Sequence, residues 1–455
     1  MNKNEHDPQA QPLMRAFLRF LGPMILANLL QGLSGTVNAF FIGQMLGTKA
    51  LAAIAGVFPI LFVIVSMILG VGAGASVLIG QAWGAREPHK VKAIAGTAIA
   101  LGLLLGAAVA FFGGFFTEAM LRALGTPPDV FDEAVTYTRV MLLAMPGLLV
   151  FLLMTQLLRG VGDTVTPLLA LVISTVVTCI ATPALIRGWF GLPQLGVASG
   201  AAASVASFLC AIAFMWFHMR AKDHPLAPDA ELMRDIRINP RLLKLVVKIG
   251  LPTGVQMIVI SLAEVVLLKI VNGFGSDATA AYGAVNQVVN YAQFPAMSIA
   301  ITASILGAQA IGAGRADRLG EIVRTGLLLN VLLTGTIVLL GYIFSRHIVA
   351  LFITSEHVIE IAQTLLHIML WSIIVYGFAA TVGGIMRASG TVLVPTGIAI
   401  FCIAVIEVPS AYLLSARFGL NGVWMAYPVT FVAMLVLQTL YYRLVWRNKK
   451  IERLV

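Results

Sequence analysis

Charge is scarce in this chain. Only 11% of its 455 residues are Asp, Glu, Lys or Arg, whereas 59% are hydrophobic. A soluble domain usually carries about a quarter charged residues, so the composition excludes an ordinary soluble protein. Mostly apolar stretches of about 18 residues or more recur along the chain, and each is long enough to cross a bilayer core of about 30 Å as a helix. We therefore predict an all-α polytopic membrane protein.

Cysteine and the common catalytic motifs are also scarce. The three cysteines, Cys179, Cys210 and Cys402, lie inside apolar stretches, which is typical of small core residues rather than of disulfides or metal ligands. The HExxH motif of metalloproteases and the GxSxG motif of hydrolases are absent. The GxGD sequence at 160–163 matches intramembrane aspartyl proteases, but the second intramembrane aspartate that their chemistry needs is missing. We predict that the chain is not an enzyme and holds no metal.

A nucleotide-binding loop is absent as well. The glycines at 70, 72 and 74 are not followed by Lys-Ser or Lys-Thr at the spacing that a phosphate loop requires. Small residues in a membrane helix more often permit close contact between helices. Uphill transport would then need an ion gradient, so we predict no cofactor other than a coupling ion, H⁺ or Na⁺.

What the chain does contain is a long repeat. GQAWGAR at 80–86 aligns with AQAIGAGR at 308–315 when Gln81 is paired with Gln309, a shift of 228 residues. Two long repeats in an apolar chain are typical of secondary transporters. We predict twelve transmembrane helices in two parallel six-helix repeats. The predicted spans are 15–43, 50–80, 92–114, 134–158, 166–187, 195–219, 243–272, 279–308, 321–344, 360–386, 394–415 and 421–444.

Positive charge is distributed unevenly between the predicted loops. If both termini are cytoplasmic, the termini and the cytoplasmic loops hold 23 Lys and Arg residues, and the opposite loops hold six. This asymmetry follows the positive-inside rule, and it explains the net charge of +10 without a nucleic-acid partner. We predict a first six-helix bundle over 1–219, a cytoplasmic linker over 220–242 and a second bundle over 243–455. The first span is expected to be retained rather than removed as a signal peptide.

Only two acids lie deep in the predicted spans, Glu264 in span seven and Glu407 in span eleven. A carboxylate is expensive in hydrocarbon, so such residues usually face a cavity and carry ions or protons. The alternatives are that Glu264 forms an ion pair with Lys269 and that the Glu407 carboxylate is hydrogen bonded by nearby backbone or hydroxyl groups. The first half has Asn38 and no deep acid. We therefore predict that ion coupling resides in the second half and uses protons rather than sodium.

Neutral polar residues form a stripe in each half. In span eight, Asn286, Asn290 and Gln293 are spaced so that they share one helix face. In span one, Gln31 and Asn38 are seven residues apart and also share a face. Hydrogen bonding between helices is the alternative for each residue, but a stripe in both halves favours a shared polar cavity for substrate, with an aromatic wall. The candidate cavity residues are Gln31, Asn38, Tyr282, Asn286, Asn290 and Gln293.

Several short motifs together resemble the multidrug and toxic compound extrusion (MATE) family over nearly the whole chain. The resemblance implies two six-helix bundles that form a V and export mostly cationic, amphipathic drugs against an inward flow of protons or sodium. It also implies a bacterial cytoplasmic membrane, with small drugs and the lipid bilayer as partners and a monomeric chain. The motifs are Gly22-Pro23, GQAWGAR at 80–86, RGVGDTVTP at 159–167, GLP at 250–252, FGSDATAAYG at 274–283, AQAIGAGR at 308–315 and RASGTVLVP at 387–395.

The sequence departs from the family pattern where coupling groups are expected. Many bacterial members carry an aspartate in the first span, where this chain has Asn38. In one bacterial branch of the family a glutamate in span seven would align near Ile260, so Glu264 is displaced by one helical turn. The ion is therefore not carried over from the family. The main alternative function is a flippase for lipid-linked sugars, but a pyrophosphate headgroup calls for several buried cations, and the spans offer only Lys269. A membrane receptor or scaffold would not require the two intramembrane acids.

Overall fold

A computed structural model describes residues 13–47, 49–50, 54, 57–123 and 125–455, and this part of the chain is almost entirely helical. Up to residue 221 the helices are α1 (Leu13–Leu46), α2 (Phe58–Gly84), α3 (Pro88–Ala123), α4 (Phe131–Leu143), α5 (Met145–Val161), α6 (Val165–Arg187) and α7 (Ala198–Ala221). They are followed by the short α8 (Ala230–Asp235), α9 (Pro240–Asn272), α10 (Ser276–Gly312), α11 (Leu319–Leu329), α12 (Gly335–Ile343), α13 (Ser345–Ala350), α14 (Glu356–Ala388), α15 (Leu393–Phe401), α16 (Val408–Phe418) and α17 (Leu420–Leu444).

Shorter helical pieces connect some of these helices. Two π-helical segments, Asn330–Thr334 and Cys402–Glu407, join α11 to α12 and α15 to α16, respectively. Single 3₁₀ turns lie at Pro128–Val130, Trp189–Gly191, Ala316–Arg318 and Trp446–Asn448.

The chain forms two compact units. The N-terminal unit comprises Leu26–Trp83 and Glu87–Gly254, and the C-terminal unit comprises Val255–Val455 with Gly84–Arg86 and the described part of Met1–Ile25. The N-terminal unit thus includes the predicted linker, and α9 passes from one unit into the other. The predicted domain limits at 219 and 243 stay predictions.

Eleven helical segments in the described residues are long and apolar enough to cross a membrane, or twelve if one bent pair counts as a single span. The bent pair is α4 and α5 with the turn before them, at an angle of 53°. The sequence predicted a single helix over 134–158. The structure breaks it at Ala144, because Pro146 has no N–H to donate to the carbonyl four residues earlier and α5 starts afresh around it.

Glycines allow α2 to approach α9 closely within the N-terminal unit. A Cβ added to Gly70 would lie 2.5 Å from the carbonyl oxygen of Gly250, and one added to Gly74 would lie 2.6 Å from that of Val246. Backbone contact at such distances excludes any larger residue. The interpretation of this glycine stretch as a helix contact rather than a phosphate loop is confirmed.

The core of the C-terminal unit lies between α10, α14 and α17. Trp424 is fully buried there, among Tyr282, Leu370 and Phe431 and many smaller apolar side chains. These three helices therefore carry side chains that face one another across the unit, and the candidate acids lie beside them.

Polar side chains cap the starts of α6 and α9. Gly162 ends α5 with a positive φ of 95°, and the Asp163 carboxylate then accepts hydrogen bonds from the backbone of the next turn, including the N–H of Thr166 at 2.9 Å. Further on, the Asn239 amide oxygen accepts the N–H of Arg241 at 3.1 Å, at the start of α9. The turn between α5 and α6 therefore begins only at Gly162, whereas residues 159–161 are still helical. The Asn239 side chain caps the start of α9.

Ion pairs join the linker helix α8 to the start of α3. Lys92 contacts both Asp229 and Glu231, at 2.7 Å for the latter, and His89 contacts Glu231 as well. Asp229 also caps α8 by accepting the N–H of Leu232 at 2.9 Å. The Leu232 N–H and the Lys92 ammonium both lower the pKa of Asp229 below its ordinary value, because both stabilise its charged form.

Candidate functional site

Two acids lie together in the C-terminal unit. Glu264 is on α9, and Glu407 ends the π-helical segment between α15 and α16. Glu407 is only 5% exposed, whereas Glu264 is exposed. The two carboxylates are close enough for their charges to interact. The structure therefore brings together the two acids that the sequence singled out, one accessible and one buried.

The backbone around Glu407 departs from a regular helix. Pro409 follows two residues later and cannot donate to the carbonyl four residues before it, so an undisturbed α-helix cannot run through this point. The chain responds with a π-helical segment, a conformation that is frequent at functional sites. This local irregularity positions the Glu407 side chain.

The alternative partner of Glu264 was Lys269, one and a half turns further along α9. Lys269 is exposed near the end of that helix. Among the ion pairs of the described residues, none joins it to Glu264. The groups that interact with Glu264 are instead Glu407 and two tyrosines.

Two buried tyrosines accompany the acid pair. The hydroxyls of Tyr282 on α10 and Tyr427 on α17 are hydrogen bonded at 3.1 Å, and both interact with the charges of Glu264 and Glu407. Trp424 packs on this pair, with its ring centroid 5.1 Å from that of Tyr282. Tyr282 is thus part of a buried aromatic cluster rather than of an open wall.

The predicted polar stripe of span eight lies on one continuous helix, α10. Asn286 is half-buried, and its side chain interacts with Tyr282. Asn290 is exposed and Gln293 is half-buried. Asn286 therefore connects the stripe to the tyrosines and acids, whereas the place of Asn290 and Gln293 in a substrate cavity stays a prediction.

The N-terminal unit has a separate polar pocket around Asn38. The Asn38 amide oxygen accepts a hydrogen bond from the Thr182 hydroxyl at 3.2 Å. Its amide nitrogen donates to the Gly200 carbonyl at 3.4 Å and to the Ser204 hydroxyl at 3.5 Å. The pocket has a volume of about 210 Å³ and is lined by Asn38, Met141, Leu148, Phe151, Ser174, Thr178, Ser204, Ser207 and Phe208.

Three of the four hydroxyl groups that line this pocket already donate their hydrogens within the protein. Thr178, Ser204 and Ser207 each donate to a carbonyl of their own helix, at 2.8–2.9 Å. Their lone pairs remain to accept hydrogen bonds from a ligand. The pocket is therefore a neutral surface of acceptors between apolar side chains. Gln31 lies two turns before Asn38 on α1, is exposed, and does not line it.

Sequence reasoning missed Tyr427, Trp424 and Thr182. Trp424, Tyr427 and Phe431 are spaced for one face of α17, which is a detectable signal, although an aromatic face is more often part of a core than of a site. Thr182 carries no signal of its own, because nothing in a lone threonine indicates which helix it will face.

A family model described as MatE matches the chain twice, over residues 23–183 and 252–413, which together make up more than half of its length. The chain belongs to the MATE family. The two matches begin at Pro23 and Pro252, so the family model recognises each half of this MATE protein separately. The resemblance stated from the motifs is confirmed.

Curated relatives cover nearly all of the chain. "Probable multidrug resistance protein YoeA" of Bacillus subtilis (strain 168) is 41% identical over 443 residues, which are 97% of this chain and 96% of the relative. "Multidrug export protein MepA" of Staphylococcus aureus (strain MSSA476) is 25% identical over 415 residues, which are 91% of this chain and 90% of that protein.

Solved structures agree with the fold. A multidrug resistance MATE family transporter of the MOP superfamily, in an outward-facing conformation, has a TM-score of 0.87 at 20% identity and covers 95% of both chains. The Vibrio cholerae MATE transporter VcmN has a TM-score of 0.88 at 21% identity over 96% of this chain and 98% of its own. The predicted all-α, MATE-like membrane fold is confirmed.

Proposed function

We propose that this MATE protein is a secondary active efflux transporter that exports amphipathic, mostly cationic drugs by antiport with protons. Sodium is the less favoured coupling ion. The relatives named above are described as multidrug resistance and multidrug export proteins, which supports the substrate class. The observation that carries the coupling mechanism is the pair of interacting carboxylates, Glu264 and Glu407, in a membrane-spanning unit.

Two neighbouring carboxylates repel each other unless one of them is protonated. Glu264 is the more exposed of the two acids and Glu407 is buried, and we propose that a proton reaches Glu407 through Glu264. The hydrogen-bonded hydroxyls of Tyr282 and Tyr427 lie beside both acids and can reorient as the charge changes. One positive charge moving inward yields about 2.3 kcal/mol per 100 mV of membrane potential, but a monovalent cationic drug moving outward costs the same amount. With one proton per such drug the pH gradient is therefore the driving force, and the potential contributes only when the protons entering outnumber the positive charges leaving.

The neutral pocket of the N-terminal unit is suited to binding the proposed cationic drugs. Its hydroxyl oxygens accept hydrogen bonds, and Phe151 and Phe208 supply apolar walls. A protonated amine on an apolar skeleton donates hydrogen bonds and matches both features. We propose that Asn38 takes part in binding such ligands and does not carry the coupling proton.

A flippase for lipid-linked sugars is the less favoured function. A pyrophosphate headgroup would require cationic donors, and the lining of the Asn38 pocket contains no Lys or Arg. The proposed transporter requires no cofactor other than its coupling ion and works as a monomer in the bilayer.

The proposed location is a bacterial cytoplasmic membrane with both termini in the cytoplasm, since the Lys and Arg residues concentrate on that side. Single cysteines introduced after replacement of the three native ones provide the test. A membrane-impermeant thiol reagent added to intact cells should miss positions 89 and 229 and should label positions 49 and 277. Labelling at position 229 would show that the orientation is inverted.

The decisive test of the function is dye efflux from vesicles that contain the purified protein. A cationic fluorescent dye should move uphill when a proton gradient alone is imposed, and protein-free vesicles provide the control. If a sodium gradient alone energises efflux, the ion is wrong and the carboxylates remain candidate ligands for sodium. If neither gradient moves any dye, the efflux function is wrong.

A further inference from the structure

A second pocket lies at the surface of the N-terminal unit, away from Asn38. It is formed where α1 and α6 end, at the membrane face opposite the start of α1. Its volume of about 640 Å³ falls within the range of small-molecule sites, about 300–1,000 Å³. The lining residues are Gln44, Met45, Leu46, Ile186, Arg187, Trp189 and Gln194.

One wall of this pocket is a loop held in a defined shape. Gly188 ends α6 with a φ of 72°, and Gly191 ends the following 3₁₀ turn with a φ of 77°. The Gln194 side chain donates to the Arg187 carbonyl at 3.2 Å, and the N–H of Leu195 donates to the Leu185 carbonyl at the same distance. These bonds tie the loop back onto α6 and position Trp189 at the pocket.

The pocket combines one positively charged side chain with the C-terminal ends of two helices. Arg187 is the only charged side chain in the lining, it is exposed, and no acid lines the pocket with it. A guanidinium with five donors is suited to a phosphate group. The pocket also receives the ends of two helices, whose last carbonyls carry partial negative charge. That charge would oppose a simple anion but would attract an ammonium group.

Trp189 and the apolar lining residues add two further features. The indole is 44% exposed, and a tryptophan face attracts cations. Met45, Leu46 and Ile186 also line the pocket and contribute apolar side chains. A ligand that satisfies all of them has a phosphate, an ammonium group close to it and an apolar body.

We propose that this pocket binds the headgroup of a zwitterionic phospholipid with a primary amine, a phosphoethanolamine headgroup. Arg187 holds the phosphate, and the carbonyl end of α1 together with the Trp189 face holds the ammonium group, because the last carbonyls of α6 already accept hydrogen bonds from the loop. Arg and Trp residues also occur at membrane interfaces as anchors that bind no particular lipid. The anchor role predicts no headgroup preference, so the two roles are separable by experiment.

The experiment counts the lipids that remain on the full-length protein. The protein is purified from vesicles of phosphatidylethanolamine and phosphatidylglycerol in equal amounts, and retained lipids are identified by native mass spectrometry. Arg187→Gln is compared with Arg417→Gln, because Arg417 lies at the corresponding end of α16 in the second half and does not line the pocket. A parallel sample replaces phosphatidylethanolamine by phosphatidylcholine, whose methylated amine cannot donate a hydrogen bond.

We expect the wild type to retain phosphatidylethanolamine in preference to the other two lipids. Arg187→Gln should lower that retention about tenfold, which corresponds to about 1.4 kcal/mol, because the neutral amide cannot form the charge-assisted hydrogen bonds of the guanidinium. Arg417→Gln should leave the retention unchanged. Trp189→Leu should lower it less, and Trp189→Phe should preserve most of it. Unchanged retention by Arg187→Gln, or an equal loss in Arg417→Gln, would overturn the proposal.

A second arm separates a lipid from a soluble ligand. Free phosphoethanolamine at millimolar concentration is titrated against the protein in lipid-free detergent, with thermal unfolding as the readout. We expect little stabilisation, because the free headgroup lacks the apolar body that would rest on Met45 and Ile186. Strong stabilisation that depends on Arg187 would overturn the assignment to a lipid.

Discussion

The polar centres of the two units differ in charge although the units belong to repeated halves of one chain. The N-terminal unit places a neutral amide, Asn38, among hydroxyls whose hydrogens are already engaged. The C-terminal unit places two interacting carboxylates, Glu264 and Glu407, beside a pair of hydrogen-bonded tyrosines. The two units thus have polar centres of different charge. Under the proposed function, the first accepts hydrogen bonds from a ligand and the second exchanges a proton.

Removing the acids should have the largest effect. Glu264→Gln or Glu407→Gln should reduce uphill dye efflux under a proton gradient to the level of protein-free vesicles, because neither variant retains a pair of acids that can exchange a proton. Binding of the dye, followed by fluorescence polarisation, should remain measurable. Asn38→Ala should have a milder effect on uphill efflux, because Asn38 is proposed to bind the drug and not to carry the coupling proton. Uphill efflux by both Gln variants would show that coupling resides elsewhere.

Introducing an acid into the N-terminal unit should have the next largest effect, a loss of stability that depends on pH. In Asn38→Asp, an ionised carboxylate oxygen would replace the amide that donates to the Gly200 carbonyl. Two acceptors would then face each other, at a cost of about 1–3 kcal/mol of unfolding free energy. The cost should shrink at pH 5 relative to pH 8, since a protonated carboxyl can donate again. Thermal unfolding in detergent at the two pH values measures it.

The same substitution also tests the division of chemistry between the units. Asn38→Asp combined with Glu264→Gln and Glu407→Gln should not recover proton-driven efflux, because the Asn38 pocket offers the introduced acid no second carboxylate. Recovery of efflux in the triple variant would show that an acid in either unit can couple proton entry to drug export. The proposed difference in function between the two units would then be wrong.

Breaking the tyrosine pair should have a smaller effect. Tyr427→Phe removes one of the two hydroxyls that meet at 3.1 Å, which should lower the unfolding free energy by about 1 kcal/mol and slow efflux without abolishing it. Tyr412→Phe is the control, because Tyr412 is exposed on α16. Equal efflux rates in Tyr427→Phe and the wild type would exclude the tyrosine pair from the coupling step.

The smallest expected effect concerns the positioning of Asn38. Thr182→Val keeps the shape of the side chain but removes the hydroxyl that donates to the Asn38 amide oxygen at 3.2 Å. We expect about 1 kcal/mol less stability and a changed ranking of dyes in an efflux panel. Thr175→Val is the control, because that hydroxyl donates only to the Leu171 carbonyl of its own helix. If both variants rank the dyes in the same order, Thr182 contributes to packing and does not position Asn38 for substrate selection.

The sequence by itself determined the membrane spans, the repeat and the family. In hydrocarbon, every backbone N–H and C=O must be satisfied within its own helix, so a long apolar stretch has few alternatives to a spanning helix. A helix cap is also decided locally. Asn239 next to Pro240 can begin α9 without contacts from distant residues, because its side chain accepts the N–H of Arg241 two residues later. The rarity of buried charge was enough to single out Glu264 and Glu407.

Only the tertiary structure decided which side chains meet. The bend at Ala144 divides a stretch that is apolar throughout and that the sequence predicted as one helix. Tyr427 and Thr182 look like ordinary core residues until α17 packs beside α10 and α6 beside α1, where they contact Tyr282 and Asn38. A helix leaves its own side chains pointing outward in all directions, so the contacts between sites far apart in the chain are decided by how the helices pack.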